Sequence, residues 1–390
     1  MMTIADAVDE MLANFSDLLA EDVPFARENP ENYVAWREFV ARPDAKRPLM
    51  PSMGQYQAMS DAERASFDLA RKMYHNTFGP LTSRTMREVH DQVIRLAWDN
   101  LRTAPGARQG AIVDGQATLG KTTIVLHMGR IYEGLAQRAY EGKGLHGTHV
   151  EFIPVVYSSV PSSTTPKKLL QSLNKFYGNP FADRDSEAKL KSRLHDIAVQ
   201  CGTSLFILDD IHNLHRGNKS ADSVNDLIKE LANLIPATFV YAGINCEDSV
   251  LLMDSRTGGK GRFTQTQYRF ALHKVEPFPN DVHLAGESEW LEFLASIEEH
   301  LCLLEYRPGW LVQQERYLYL RTEGGIGSLI RLVRAAANAA VRDGSEALSR
   351  AGLENIRLAE GAERYYAKKK AALGAIKDSP EAVARLLNAS

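Results

Sequence analysis

From Gly110 to Lys274 the chain alternates short apolar runs with stretches in which apolar residues return every three or four positions. The runs fit strands buried on both faces and the periodic stretches fit amphipathic helices, so their alternation predicts a parallel sheet covered by helices. Strands are expected at Gly110 to Val113, Val150 to Ser158, Ser204 to Leu208, Thr238 to Gly243 and Gln267 to Lys274. Helix ends are readable between them. Thr165 caps and Pro166 opens "TPKKLLQSLNKFYG", while "SEAKLKSRLHDIAVQCG" closes on Gly202. Upstream, two helical patterns flank the breaker "FGP", with Ser83 placed to cap the second. Beyond Pro279 the strand signal stops and helical segments follow, including "ESEWLEFLASIEEHLCLL" and "GSLIRLVRAAANAAVRDG". The expected organisation is an acidic helical arm and linker at 1–67, an α/β core at 68–282, a helical lid at 283–358 and a basic helical tail at 359–390.

Chemistry enters at "GQATLGKT", Gly115 to Thr122, which satisfies GxxxxGK[ST] between an apolar strand and a helix. Such a loop turns backbone N–H groups toward phosphate oxygens at a helix N-terminus. The nucleotide-cradling candidates are Gly115, Gln116, Ala117, Thr118, Leu119, Gly120, Lys121, Thr122 and Thr123. Lys121 is expected on the β- and γ-phosphates of ATP, and the Thr122 hydroxyl on Mg2+. The second motif is "SLFILDD", where Asp209 ends a strand and is the other expected Mg2+ ligand. Asp210 follows where a glutamate is usual. Its carboxylate is one methylene shorter and falls about 1 Å short of an attacking water, a shift worth on the order of 100-fold in rate. Either a water or the backbone makes up that distance, or hydrolysis is slow and ATP acts as a switch; the second is preferred. His212 faces the same pocket or bonds to backbone, and it has no partners at zinc-ligand spacing.

Composition narrows the class. At 390 residues, 44% hydrophobic and 24% charged, the chain has an ordinary soluble make-up, and no apolar segment approaches the ~18 residues that span a bilayer. Cys201, Cys246 and Cys302 lack metal spacing and fit a reduced cytoplasmic setting. The net charge of −3 excludes DNA binding by bulk electrostatics, so any contact with DNA needs a local patch or many subunits.

The residues "YHNTFGPLTSRTM", "IPVVYSSVPSSTTPKKLLQSLNKFYG", "DDIHNL", "IPATFVYAGINCED", "GRFTQ" and "EGGIGSLIRLVRAAANAAVRDG" together resemble the TniB family of AAA+ ATPases, transposition helpers related to TnsC and more distantly to MuB and IstB. The resemblance implies a P-loop AAA+ core with a parallel sheet flanked by helices, a C-terminal helical lid and an N-terminal helical arm. It also implies a homo-oligomer, ring or helical filament, that assembles with ATP on double-stranded DNA and recruits a transposase and a target-selection protein of the TniQ kind. An AAA+ ATPase would supply Asn245 to sense the γ-phosphate, and Arg262, or less favourably Arg256, as an arginine finger into a neighbouring subunit. The lid lacks an arginine at its sensor-helix start, leaving Arg331 or Arg334 as substitutes. DNA-facing candidates are Lys167 and Lys168 after the second strand, and Arg216 and Lys219 after the third, contacting backbone without base readout. Two rivals are a signalling NTPase acting on proteins without DNA and a helicase loader, whose attached sensor and winged-helix domains find no matching segment here.

Overall fold

The computed structural model describes residues 29–103, 108–140, 151–161, 164–211, 219–246, 269–279 and 288–375, with backbone alone at 219–222 and 371–375. Five strands, β1 (Gly110–Gly115), β2 (Val155–Ser159), β3 (Leu205–Asp209), β4 (Thr238–Gly243) and β5 (Phe270–Val275), form one sheet in the order β2-β3-β4-β1-β5. Every pairing is parallel. The three inner strands are mostly apolar because both faces are covered: every residue of β3 and β4 is buried. The edge strand β5 is half exposed.

Helices α1 (Tyr33–Ala41), α2 (Met53–Ala58), α3 (Asp61–Thr77) and α4 (Arg84–Asn100) precede the sheet. The crossovers use α5 (Lys121–Tyr140) after β1, α6 (Pro166–Phe176) and α7 (Glu187–Gln200) after β2, and α8 (Lys219–Leu234) after β3. Caps fall where the polar residues put them: the Thr165 and Ser83 hydroxyls accept the Lys168 and Met86 N–H groups, and Gly202 takes a left-handed φ of 65° after α7. Strands β1, β2 and β3 each run one or two residues past their predicted ends, and β2 begins later, at Val155.

The C-terminal part is a separate helical layer, α9 (Glu289–Glu298), α10 (Trp310–Gln313), α11 (Glu315–Thr322), α12 (Ile326–Arg342), α13 (Arg350–Glu354) and α14 (Glu360–Ala375). Its own core gathers Trp290, Leu294, Leu311, Leu318, Leu329 and Leu332, all fully buried. Helix α3 runs unbroken across position 68 and packs on α12 of this layer. The Arg71 guanidinium, fully buried, pairs with both carboxylate oxygens of Glu346 and with Asp68. Beside it, His75 accepts the Cys302 N–H at Nε2 and contacts Asn338 Oδ1 through Nδ1, so Nδ1 carries the proton. Burial pushes this imidazole down to about 4, so it stays neutral. Among the described residues no helix is long and apolar enough to cross a membrane.

Removing one partner of a buried ion pair strands the other charge, at a cost of roughly 3–5 kcal/mol. Arg71→Ala is therefore expected to lower unfolding stability by about that amount in urea titrations. A loss below about 1 kcal/mol, the range of a surface pair, would show that the α3 junction does not depend on it.

Candidate functional site

The carboxyl ends of β1, β4 and β3 lie side by side, and the loops leaving them converge. Ligands of open α/β sheets bind at this edge. The loop after β1 turns through left-handed backbone at Thr118 (φ 68°) and Gly120 (φ 84°) and enters α5, whose first full-length hydrogen bond runs from Ile124 N–H to the Gly120 carbonyl. The first-turn N–H groups of α5 lack carbonyl partners within the helix and suit phosphate oxygens. Gln116, Ala117, Thr118, Thr122 and Thr123 are exposed, whereas Leu119 is buried and anchors the loop. Lys121 Nζ donates to the Gln116 carbonyl at 2.7 Å, bridging the loop. Burial lowers the Lys121 pKa, opposed by nearby acidic groups, of which Asp209 is the strongest.

Asp209 is 1% exposed. Burial raises its pKa, and a hydrogen bond from Thr122 opposes that rise. Tyr157 on β2 donates its hydroxyl to Asp209 Oδ2 at 3.2 Å, and the Asp210 N–H donates to Oδ1 at 2.8 Å. Thr122 and Asp209 thus bring two hard oxygen donors together beside the phosphate loop, a set that fits magnesium, which keeps most of its water shell and takes few protein ligands.

Asp210 has φ 59°, a region where aspartate is several-fold enriched among non-glycine residues. This gives a backbone reason for the short acidic side chain, beside the reach argument made from sequence. Its Oδ2 accepts the Ser159 hydroxyl at 3.1 Å. Asn245, also left-handed at φ 53°, follows β4, and Gln116 Nε2 donates to its Oδ1 at 3.1 Å. The structure therefore brings Lys121, Thr122, Asp209, Asp210 and Asn245 to one edge. Asp114 joins them from β1, accepting the Cys246 N–H at 3.1 Å, and burial raises that thiol to about 12, which leaves it inert.

The lid closes over the loop. Gly327 N–H donates to the Thr118 carbonyl at 3.0 Å, and a Cβ at Gly327 would lie 2.5 Å from that oxygen, so the approach requires glycine. A cleft of about 1970 Å³ opens between the loop, the start of α4 and α12, with Leu81, Met86, Phe278 and Ile330 on its apolar wall. Such a wall beside a phosphate loop suits a nucleotide base. Of the two substitute sensor arginines, Arg334 is tied to the Phe78 carbonyl and lies over the Phe78 ring at 4.6 Å. Arg331 is exposed at the cleft. The glycine-rich start of α12 was the legible signal for this contact.

Lys167 and Lys168 open α6 and are exposed. His212, Arg216, Arg256 and Arg262 lie outside the described residues, as does the Lys219 side chain. Sequence reasoning did not single out Tyr157, Ser159 or Asp114; the polar end of the apolar run "VVYSS" was the one available sign of the first two.

No curated protein sequence gives a significant match. The fold is similar to that of the Aeropyrum pernix ORC2 protein in its ADPNP-ADP complexes, at TM-score 0.53 and 14% identity, covering 73% of this chain and 69% of that one. The Aeropyrum pernix ORC1 protein in complex with DNA is similar at TM-score 0.51 and 15% identity, over 71% of this chain and 65% of that chain, so just under two thirds of its length is spanned. At such identities the likeness is one of fold. Residues 86–276, which contain the phosphate loop, the Asp209 strand and Asn245, match the family model described as "Bacterial TniB protein". Over these residues, just under half of the chain, the sequence matches the TniB family of AAA+ ATPases.

Proposed function

We propose that this protein is an ATP-dependent regulator of DNA transposition that oligomerises on double-stranded DNA and recruits a transposase and a target-selection protein of the TniQ kind. The observation that carries the reading is that the bacterial TniB match covers the segment whose phosphate loop, acidic strand end and Asn245 share one edge. The α5 N-terminus and Lys121 hold the β- and γ-phosphates of ATP, and Asn245 contacts the γ-phosphate. Thr122 and Asp209 hold magnesium, which when bound neutralises phosphate charge. Arg262 of a neighbouring subunit reaches the same phosphates. Asp210 orients the attacking water, and turnover is slow because its carboxylate stops short.

DNA contact falls to Lys167, Lys168, Arg216 and Lys219, multiplied over the oligomer so that a chain of net charge −3 still holds a polyanion. The contacts go to phosphates and set register without reading sequence.

Labelled duplex DNA titrated with the protein is expected to bind cooperatively in ATP and weakly in ADP or without nucleotide, read by fluorescence anisotropy. Absence of binding in every state, by protein that binds ATP, would overturn the DNA reading in favour of a protein-directed switch. Lys167→Ala with Lys168→Ala is expected to weaken binding on all sequences alike and flatten the salt slope by about 2; an unchanged slope removes these lysines from the interface. Asp210→Glu is expected to raise steady-state ATP turnover about tenfold or more, and no gain would dispose of the short-reach explanation.

A further inference from the structure

Helices α4 and α5 run side by side in a fixed register. His90 Nε2 bonds to the Ile124 carbonyl at 3.0 Å, and eight residues farther along both helices Trp98 meets the fully buried Tyr132 edge-on, with ring centroids 6.1 Å apart. The same offset brings Leu101, which follows α4 in helical backbone, level with Leu135. On α4 the residues Ile94, Trp98 and Leu101 recur every three or four positions and share one side, and on α5 Ile131 and Leu135 are one turn apart. Ile94 and Trp98 are partly buried, while Leu101, Ile131 and Leu135 are 39%, 37% and 41% exposed. A single exposed leucine is ordinary, but five large apolar side chains along one helix pair form a groove of the kind that binds an amphipathic helix. Exposed Arg87, Arg95, Arg102 and Arg138 stand along its walls, with Asp91 the acid on the same side of α4.

The residues ahead of Asn29 carry the matching pattern. Ile4, Val8, Met11, Phe15 and Leu18 are spaced four, three, four and three apart, with Leu12 and Leu19 beside them, which predicts a helix with one apolar stripe. Residues 1–28 hold seven acidic side chains and one basic, Arg27, so the flanks of that stripe complement the arginines of the groove.

The point of entry makes the groove reachable. Asn29, the first described residue, leads into α1, which lies on α5: Trp36 packs on Gly129, and Arg130 donates to the Val40 carbonyl at 3.2 Å. The nine residues 20–28 can extend to roughly 30 Å, whereas packed helices lie about 10 Å apart. The stripe can therefore cross α5 to the groove of its own chain, and so short a connection holds it there at millimolar local concentration.

We propose that residues 4–19 form an acidic helix that docks in the α4–α5 groove of the same chain, its apolar stripe on Trp98, Leu101, Ile131 and Leu135 and its carboxylates facing Arg95, Arg102 and Arg138. The contact uses no residue of the nucleotide edge and goes beyond the transposition reading, which does not depend on it.

Amide hydrogen exchange of the full-length chain tests the docking. Residues 4–19 are expected to exchange about tenfold more slowly or better than the same segment carrying Val8→Asp with Phe15→Asp. Ile131→Asp with Leu135→Asp, at positions already open to water, is expected to abolish the same protection while the β3 amides stay protected. Arg95→Glu with Arg138→Glu is expected to weaken it. Protection that is independent of protein concentration and lost in both apolar double variants supports the docking. Fast exchange across 4–19 in the wild type overturns it, and so does protection that either apolar double variant retains. Where β3 opens as well in the Ile131→Asp, Leu135→Asp chain, Leu101→Asp on the opposite wall is read in the same way. Protection that fades on dilution assigns the groove to a second copy and overturns the contact within one chain.

Discussion

A carboxylate with almost no access to solvent, at the end of a wholly apolar strand, is the constraint on which this site depends. Asp209 loses hydration that must be replaced in full, because a buried charge without partners costs several kcal/mol. Its replacements come from three places: Thr122 at the start of α5, Tyr157 on β2 and the following backbone N–H. Parallel pairing makes that supply possible. Because all five strands point one way, the first turn of α5 and the end of β2 arrive at the same edge as the end of β3. An antiparallel neighbour would bring its amino end there instead.

The same reasoning orders the second layer. The lid has its own apolar core, and it meets the phosphate loop through the bare backbone of Gly327 against the Thr118 carbonyl. On its far side α3 is held by the buried Arg71–Glu346 ion pair and by His75, which bonds to the Cys302 N–H and to Asn338.

The sheet was legible because its strands are local apolar runs, and the phosphate loop because its four specified residues lie within eight consecutive positions, Gly115 to Thr122. Caps at Ser83 and Thr165 were legible for the same reason: donor and acceptor are three residues apart. What sequence could not supply were pairings across distance. Asp68 begins a unit in the composition, yet the helix crosses it and belongs by packing to a glutamate 275 positions beyond Arg71. Ser159 reads as an ordinary strand end until β2 is laid beside β3 with Ser159 opposite Asp209. The segment at 1–67 reads as an acidic arm and linker until Trp36 is seen packed against Gly129 of α5 and Tyr157 of β2.

Asp210 shows how these levels combine. From sequence it is a glutamate shortened by one methylene, and reach alone decides its role. In the fold its backbone is left-handed, a region where aspartate is enriched, and its Oδ2 accepts the Ser159 hydroxyl from β2. Lengthening the side chain and removing the Ser159 hydroxyl are then separate interventions on one carboxylate. The first changes where the oxygen reaches, and the second changes which neighbour holds it.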